Sequence, residues 1–189
     1  YKVEGPHLVS PSPQRTPLLF QAGASTRGKA FAAKHAEAIF INTPSPKVAK
    51  SLIAEVREIA VENGRNGEDI QFFQGQSFVI GETEEEAQKK AKELDEITDH
   101  KMMIAHIGGG MGIDFGKWDL DTPIEDIETE GVRGIFNWIK QSVEGRKPTL
   151  RDVADHHGKS TRFVGTPEQI ADRLEEWLDA GVSGINVIN

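Results

Sequence analysis

The sequence predicts an α/β protein built on a parallel sheet, in the proportions of half a (β/α)8 barrel. Short apolar runs alternate with helical segments, the order that builds parallel strands joined by crossover helices. No two runs are joined by a tight hairpin signal, so an antiparallel sheet is not indicated. A closed barrel needs eight strand–helix units and typically about 250 residues. Four such units fit into these 189 residues.

The first 16 residues are proline-rich with few apolar positions, which suits an irregular connection. TPLLFQAG (Thr16 to Gly23) is a short apolar run ending at glycine, the pattern of a buried parallel strand. Ser25 then stands where a helix N-cap belongs, ahead of the alanine-rich STRGKAFAAKHA. EAIFINT (Glu37 to Thr43) is the second strand. Ser45 and Pro46 supply an N-cap and a first-turn proline. Val48, Leu52, Ile53, Val56, Ile59 and Ala60 recur at helical spacing until Gly64. DIQFFQGQSFVIG (Asp69 to Gly81) is the third strand, and Thr83 with Glu86 forms a capping box that opens a charged helix to about Ile97.

Between Thr98 and Arg162 the rhythm breaks into a long insertion with a glycine cluster, a loop at Trp118 and two helices near Val132 to Val143 and Leu150 to His156. Long excursions of this kind in compact domains are usually functional. FVGTPEQIADRLEEWLDAG is a helix capped by Thr166, Pro167 and Gln169 and stopped at Gly181, and VSGINVIN closes the chain as a fourth strand. Tyr1 and the run after it read as the interior of a longer chain.

With 37% apolar and 28% charged residues the chain has an ordinary globular composition. The net charge is −8 and the basic residues are scattered among acids, so no stripe exists to neutralise a nucleic-acid backbone. Absence of cysteine excludes disulfides, thiolate metal sites and a cysteine nucleophile. No apolar run approaches the roughly 20 residues of a bilayer span. A soluble, cytoplasmic protein without membrane or nucleic-acid partners is expected.

Two constellations could carry chemistry. Gln21, Ala22, Gly23, Ala24 and Ser25 lie where a strand ends and a helix begins. There a helix N-terminus offers free N–H groups to an anion. Gly23 would let a ligand approach the backbone, and Ser25 could both cap the helix and donate to a phosphate oxygen. A plain βα turn with a serine cap fits the same residues. In the second, IAHIGGGMG (Ile104 to Gly112), four glycines suit a moving cover loop, and His106 supplies an imidazole that could handle a proton. A mobile surface loop with an ordinary histidine fits equally. His35 is explained by a helix C-terminus, His100 has no evident partner, and the adjacent His156 and His157 do not share a helical face. No metal motif, Walker loop, nucleophile elbow or Rossmann fingerprint is present.

The stretch GPHLVSPSPQRTPLLFQAGASTRGKAFAAKHAEAIFI, Gly5 to Ile41, closely resembles the second-half signature of bacterial-luciferase-like monooxygenases, in the nitrilotriacetate, dibenzothiophene-sulfone and long-chain alkane branch. AHIGGGMG resembles the lid insertion of those enzymes, and VGTPEQIADRLEEWLDAGVSGINVIN resembles their last helix and strand. The resemblance implies that residues 1–189 are the C-terminal half of one TIM-barrel-type domain, holding about strands five to eight, with a lid-type insertion at about 98–162. It implies reduced FMN supplied by a separate flavin reductase, O2 and a small organic substrate. It places the flavin phosphate at Ser25 with the Gly23 and Ala24 backbone, Gln21 and Ala22 near the ring, and catalytic His106 beside the substrate. The run IDFGKWDLDTP after Gly112 resembles the alkane enzymes only loosely, so no substrate is chosen. The fragment alone is expected to be inactive, and its open sheet edges favour a homodimer or higher homo-oligomer. Two other readings stand beside this one: a deazaflavin-dependent oxidoreductase of the same superfamily, and a non-catalytic flavin-binding fragment.

Overall fold

The computed structural model describes residues 4–5, 9–23, 25–128, 136, 139–140, 143 and 145–188. Three strands, β1 (Phe20–Ala22), β2 (Ala38–Ile41) and β3 (Gln71–Ile80), alternate with helices α1 (Thr26–His35) and α2 (Pro46–Glu62). Helices α3 (Glu84–Ile97), α4 (His100–Met111) and α5 (Leu150–Lys159) follow. The chain closes with β4 (Arg162–Gly165), α6 (Pro167–Asp179) and β5 (Gly184–Val187). Every strand pairing is parallel.

The ten-residue β3 organises the sheet. Its first half pairs with β2 (Ile39 against Phe72) and with β5 (Phe73 against Gly184), and its second half pairs with β4 (Phe78 against Phe163). β4 is a strand that apolar periodicity does not show, because Arg162–Gly165 runs directly into the capping box of α6. Four strands predicted from the sequence thus become five.

Side chains alternate across a strand, so the register puts Gln21, Ile39 and Phe72 on one face and Ala22, Phe40 and Phe73 on the other. The first face is covered. Ile39, Ile41 and Phe72 pack with Ala32 and Ala33 of α1, Ile53 and Val56 of α2, and Trp177 of α6 in the main core. On the second face the rings of Phe20, Phe40 and Phe73 form an aromatic layer with centroids 4.9 to 6.1 Å apart. Phe20 is 45% and Phe40 38% exposed, although this is the face that a closed barrel fills with side chains. Leu18 and Leu19, expected inside a buried strand, lie just ahead of β1 and are exposed as well.

Helix ends follow their predicted caps. Ser25 Oγ accepts from Gly28 N–H at 3.1 Å, and Ser45 Oγ accepts from Val48 N–H at 3.4 Å. Thr166 and Gln169 close a reciprocal capping box. Thr83 Oγ1 accepts from Glu86 N–H, but the Glu86 carboxylate reaches back one residue further, to Glu82 N–H. At its other end α1 is held by Arg65, whose guanidinium donates to the Ala33 and Ala36 carbonyls, each at 2.7 Å.

Residues of the 98–162 segment form a second core, in which Ile104 and Ile107 of α4 meet Phe115, Ile124, Ile139 and Leu150, Val153 and Ala154 of α5. The helix expected near Val132 to Val143 lies largely outside the described residues. The glycine cluster, expected as a loop, is instead the last turns of α4, ended by Gly112 at φ 70°. The reason is close packing: Ile113 N–H donates to Gly108 O at 2.9 Å, and a Cβ at Gly108 would lie 2.3 Å from Ile113 O.

The start of α5 rests on Asp152. The Arg146 guanidinium donates to its carboxylate at 2.7 Å, as do Thr149 N–H at 2.7 Å and Thr149 Oγ1 at 3.1 Å. These contacts, that of Arg146 foremost, lower its pKa to about 2 from the ordinary 3.8. A carboxyl whose folded-state pKa is depressed adds stability above its unfolded pKa and loses it as pH falls through the folded one. Asp152→Asn should therefore lower unfolding free energy by about 1–2 kcal/mol at neutral pH. That difference should shrink between about pH 4 and pH 2 in denaturant titrations. A gap that stays constant across this window would contradict the assignment.

Candidate active site

In a parallel sheet all strand C-termini reach one rim, and the helix that follows each strand starts there. The β1–α1 turn lies at this end of the sheet, with Ala22 level with Phe40 and Phe73 by register, and β3 runs on past that level to Ile80.

At the turn, Gly23 has φ 121°, a conformation that disfavours any side chain. Ser25 is extended (φ −66°, ψ 157°) and caps α1, whose first-turn N–H groups lack intrahelical acceptors. Gly28 keeps the turn tight, since a Cβ there would stand 3.1 Å from both Gly23 O and Ser25 Oγ. Arg27 is exposed in the same turn. A hydroxyl, a helix N-terminus, a guanidinium and two glycines that leave room suit a dianionic phosphate.

The residues that the resemblance groups together are not on one face. Ala22 points to the aromatic side of the sheet with Phe40, while Gln21 points beneath the helices with Ile39. The Gln21 Oε1 is buried without a hydrogen-bond partner among the described residues. Ala24 lies outside the described residues.

Beyond β3 is a cavity of about 430 Å³, walled by Phe78 and Val79 of β3, Met103 and His106 of α4, His157 of α5, and Ile188 after β5. Met103 and His106 are three residues apart on α4, as are Ala154 and His157 on α5, so each pair shares a helix face. Packing of the two helices brings the His106 and His157 rings to 6.1 Å between centroids. Burial pushes the His157 imidazole below its ordinary range, and the neighbouring His106 and His156 push it further. His100 Nε2 lies 3.4 Å from Asp155 Oδ1. His157 had no role in the sequence, because the partner that gives it one comes from another helix some 50 residues earlier in the chain. Among the described residues no group of three or more His, Cys, Asp or Glu could hold a metal ion, and no helix is long and apolar enough to cross a membrane.

The family model described as luciferase-like monooxygenase matches residues 1–184. The dimethyl-sulfide monooxygenase of Hyphomicrobium sulfonivorans is 39% identical over 191 residues, which cover 99% of this chain and 40% of that protein. Among solved structures, the long-chain alkane monooxygenase superposes with a TM-score of 0.75 at 33% identity, covering 100% of this chain and 40% of the other. A riboflavin lyase crystallised with modified FMN and riboflavin gives a TM-score of 0.75 at 32% identity, over 95% of this chain and 40% of the other. The chain thus spans about 40% of the length of the relatives it matches. Its parallel sheet and flanking helices are part of an (β/α)8 barrel, and the chain belongs to the luciferase-like monooxygenase family.

Proposed function

We propose that this chain is the C-terminal part, about strands five to eight, of an FMN-dependent monooxygenase. Such an enzyme oxygenates a small organic substrate with O2 and takes its reduced FMN from a separate reductase. One observation carries the reading: a phosphate-type cradle at Ser25 and an imidazole-lined cavity at His106 both lie toward the C-terminal ends of strands, in a chain of the luciferase-like monooxygenase family.

In this reading Ser25 Oγ and the first N–H groups of α1 hold the flavin phosphate, and Gly23 leaves room for it. Arg27 adds a cation beside the anion. Ala22, on the aromatic face, stands nearest the barrel interior where the ring would lie, while Gln21 supports the turn from beneath. Bound reduced FMN supplies the two electrons that O2 activation needs. His106 donates or accepts a proton at the reacting oxygen. His157 faces it, so that one imidazole can donate while the other accepts. The 98–162 segment serves as the lid that excludes water from the rim.

Ser25 has two duties, cap and phosphate ligand, and substitutions separate them. In the full-length protein Ser25→Ala should weaken FMN binding by about 1–3 kcal/mol, the range for losing a hydrogen bond to a charged group. Asp caps a helix as well as Ser does, so Ser25→Asp should keep the folding stability yet bind FMN more weakly still, through charge repulsion. Riboflavin, which lacks the phosphate, should be bound equally by all three proteins in fluorescence titrations. Unchanged FMN affinity in both variants would remove Ser25 from the site.

For His106→Ala, steady-state kinetics should show a loss of turnover larger than the loss of FMN affinity. An equal loss of both would make the histidine structural.

A further inference from the structure

We propose that the cavity beside His106 selects small uncharged substrates, such as an alkane or a thioether, and rejects those that carry a carboxylate. The proposal rests on the reading above that this cavity is the substrate site, and it adds the chemical class of the molecule that enters.

The observation is a closed charge balance. Among the described residues lining the cavity, the cations are Lys159 and Arg162 and the carboxylates are Asp95 and Asp155. Each charge is already met inside the protein. Arg162 Nη1 donates to Asp95 Oδ1 at 2.7 Å. Lys159 Nζ lies 3.3 Å from Asp95 Oδ2 and 3.2 Å from Asp155 Oδ1. His100 Nε2 closes the set at 3.4 Å from the same Asp155 oxygen.

Burial pushes the Asp95 carboxyl up, but hydrogen bonds from Arg162 and Lys159 outweigh it and hold it below its ordinary value. For Lys159 burial acts downward, and Asp155 and Asp95 outweigh it upward. Two cations thus stand against two carboxylates in one connected set. The imidazole of His157, held below its ordinary range, adds no cation there.

The hydroxyls of Ser77, Thr98 and Thr161 and the imidazoles share the rest of the lining with apolar side chains. Phe78, Val79, Leu94, Met103, Ala154 and Ile188 supply hydrocarbon, ring and thioether surface. At about 430 Å³, the cavity stands at the low end of the range for small-molecule sites. A carboxylate entering it would find no unpaired cation and would lie against two carboxylates. Desolvating a charge without a partner is the costliest event in such a site. A neutral molecule meets no such penalty and gains the apolar contact.

The relatives in the family include enzymes named for dimethyl sulfide and long-chain alkane and one named for nitrilotriacetate. Family membership therefore leaves the substrate's charge open, and the pairing of Asp95 and Asp155 decides it here.

The test uses the full-length protein and two thioethers of similar size, neutral butyl methyl sulfide and anionic 3-(methylthio)propanoate. Binding is measured by calorimetry without flavin. Consumption is measured with reduced FMN regenerated by a flavin reductase. The neutral probe should be preferred by on the order of 100-fold in both affinity and kcat/KM, as expected for an unpaired charge. Asp95→Asn leaves Arg162 without its carboxylate and should cut that preference at least about tenfold, mainly by tighter binding of the anion. Should this variant not fold, Asp155→Asn leaves Lys159 and Arg162 to share the single carboxylate of Asp95 and should shift the preference in the same direction.

Equal binding of the two probes, or a preference unchanged in the variants that fold, overturns the proposal. Flavin-dependent consumption of the carboxylate probe at parity also overturns it, while leaving the monooxygenase reading intact. A retained binding preference without flavin-dependent consumption of either probe upholds the pocket's selectivity and overturns the proposed reaction.

Discussion

Parallel pairing along β3 is the constraint on which the rest of the structure depends. Its edges receive β2, β5 and β4, all running the same way, so every crossover must return through a helix and every strand must end on the same rim. The turn that carries Ser25 and the cavity that carries His106 both lie toward the C-terminal ends of strands for this reason.

The same constraint leaves one side of the sheet unfinished. Helices α1, α2 and α6 bury one face in the main core, while Phe20, Phe40 and Phe73 present a ring layer on the other. Exposed apolar surface of this kind marks a surface that meets something, and a barrel interior needs side chains from strands on every side. Gly75 sits within that face, where a Cβ would lie 2.1 Å from the Asn42 side chain and 2.7 Å from Ile188. The rim therefore narrows near β3, and Ile188 lines both this constriction and the His106 cavity.

Much of the fold was legible because local chemistry agreed with the global arrangement. Ser25, Ser45 with Pro46, and Thr166 with Gln169 mark their helix starts by residue type, and each makes the predicted cap. Apolar runs of strand length located β1, β2, β3 and β5. β4 escaped because Arg162–Gly165 runs directly into the capping box of α6 and reads as the approach to that helix. The glycine cluster misled because glycine in a sequence signals freedom, whereas Gly108 is there to admit the returning carbonyl of Ile113. At the site, the cradle could be read from the order strand, glycine, serine, helix. The facing of His106 and His157, and the pairing of Asp95 with Arg162 across 67 positions, depend on how helices and strands distant in sequence pack, which no local pattern encodes.

The central claim is that one ligand spans the rim, with its phosphate on the first turn of α1 and its ring toward the cavity of His106. A crystal structure of the full-length protein with FMN tests this most directly. The account predicts a phosphate oxygen within hydrogen-bonding distance of Ser25 Oγ and the flavin ring crossing the ends of β2 and β3 toward His106. A phosphate bound elsewhere, or a ring turned away from that cavity, would contradict it.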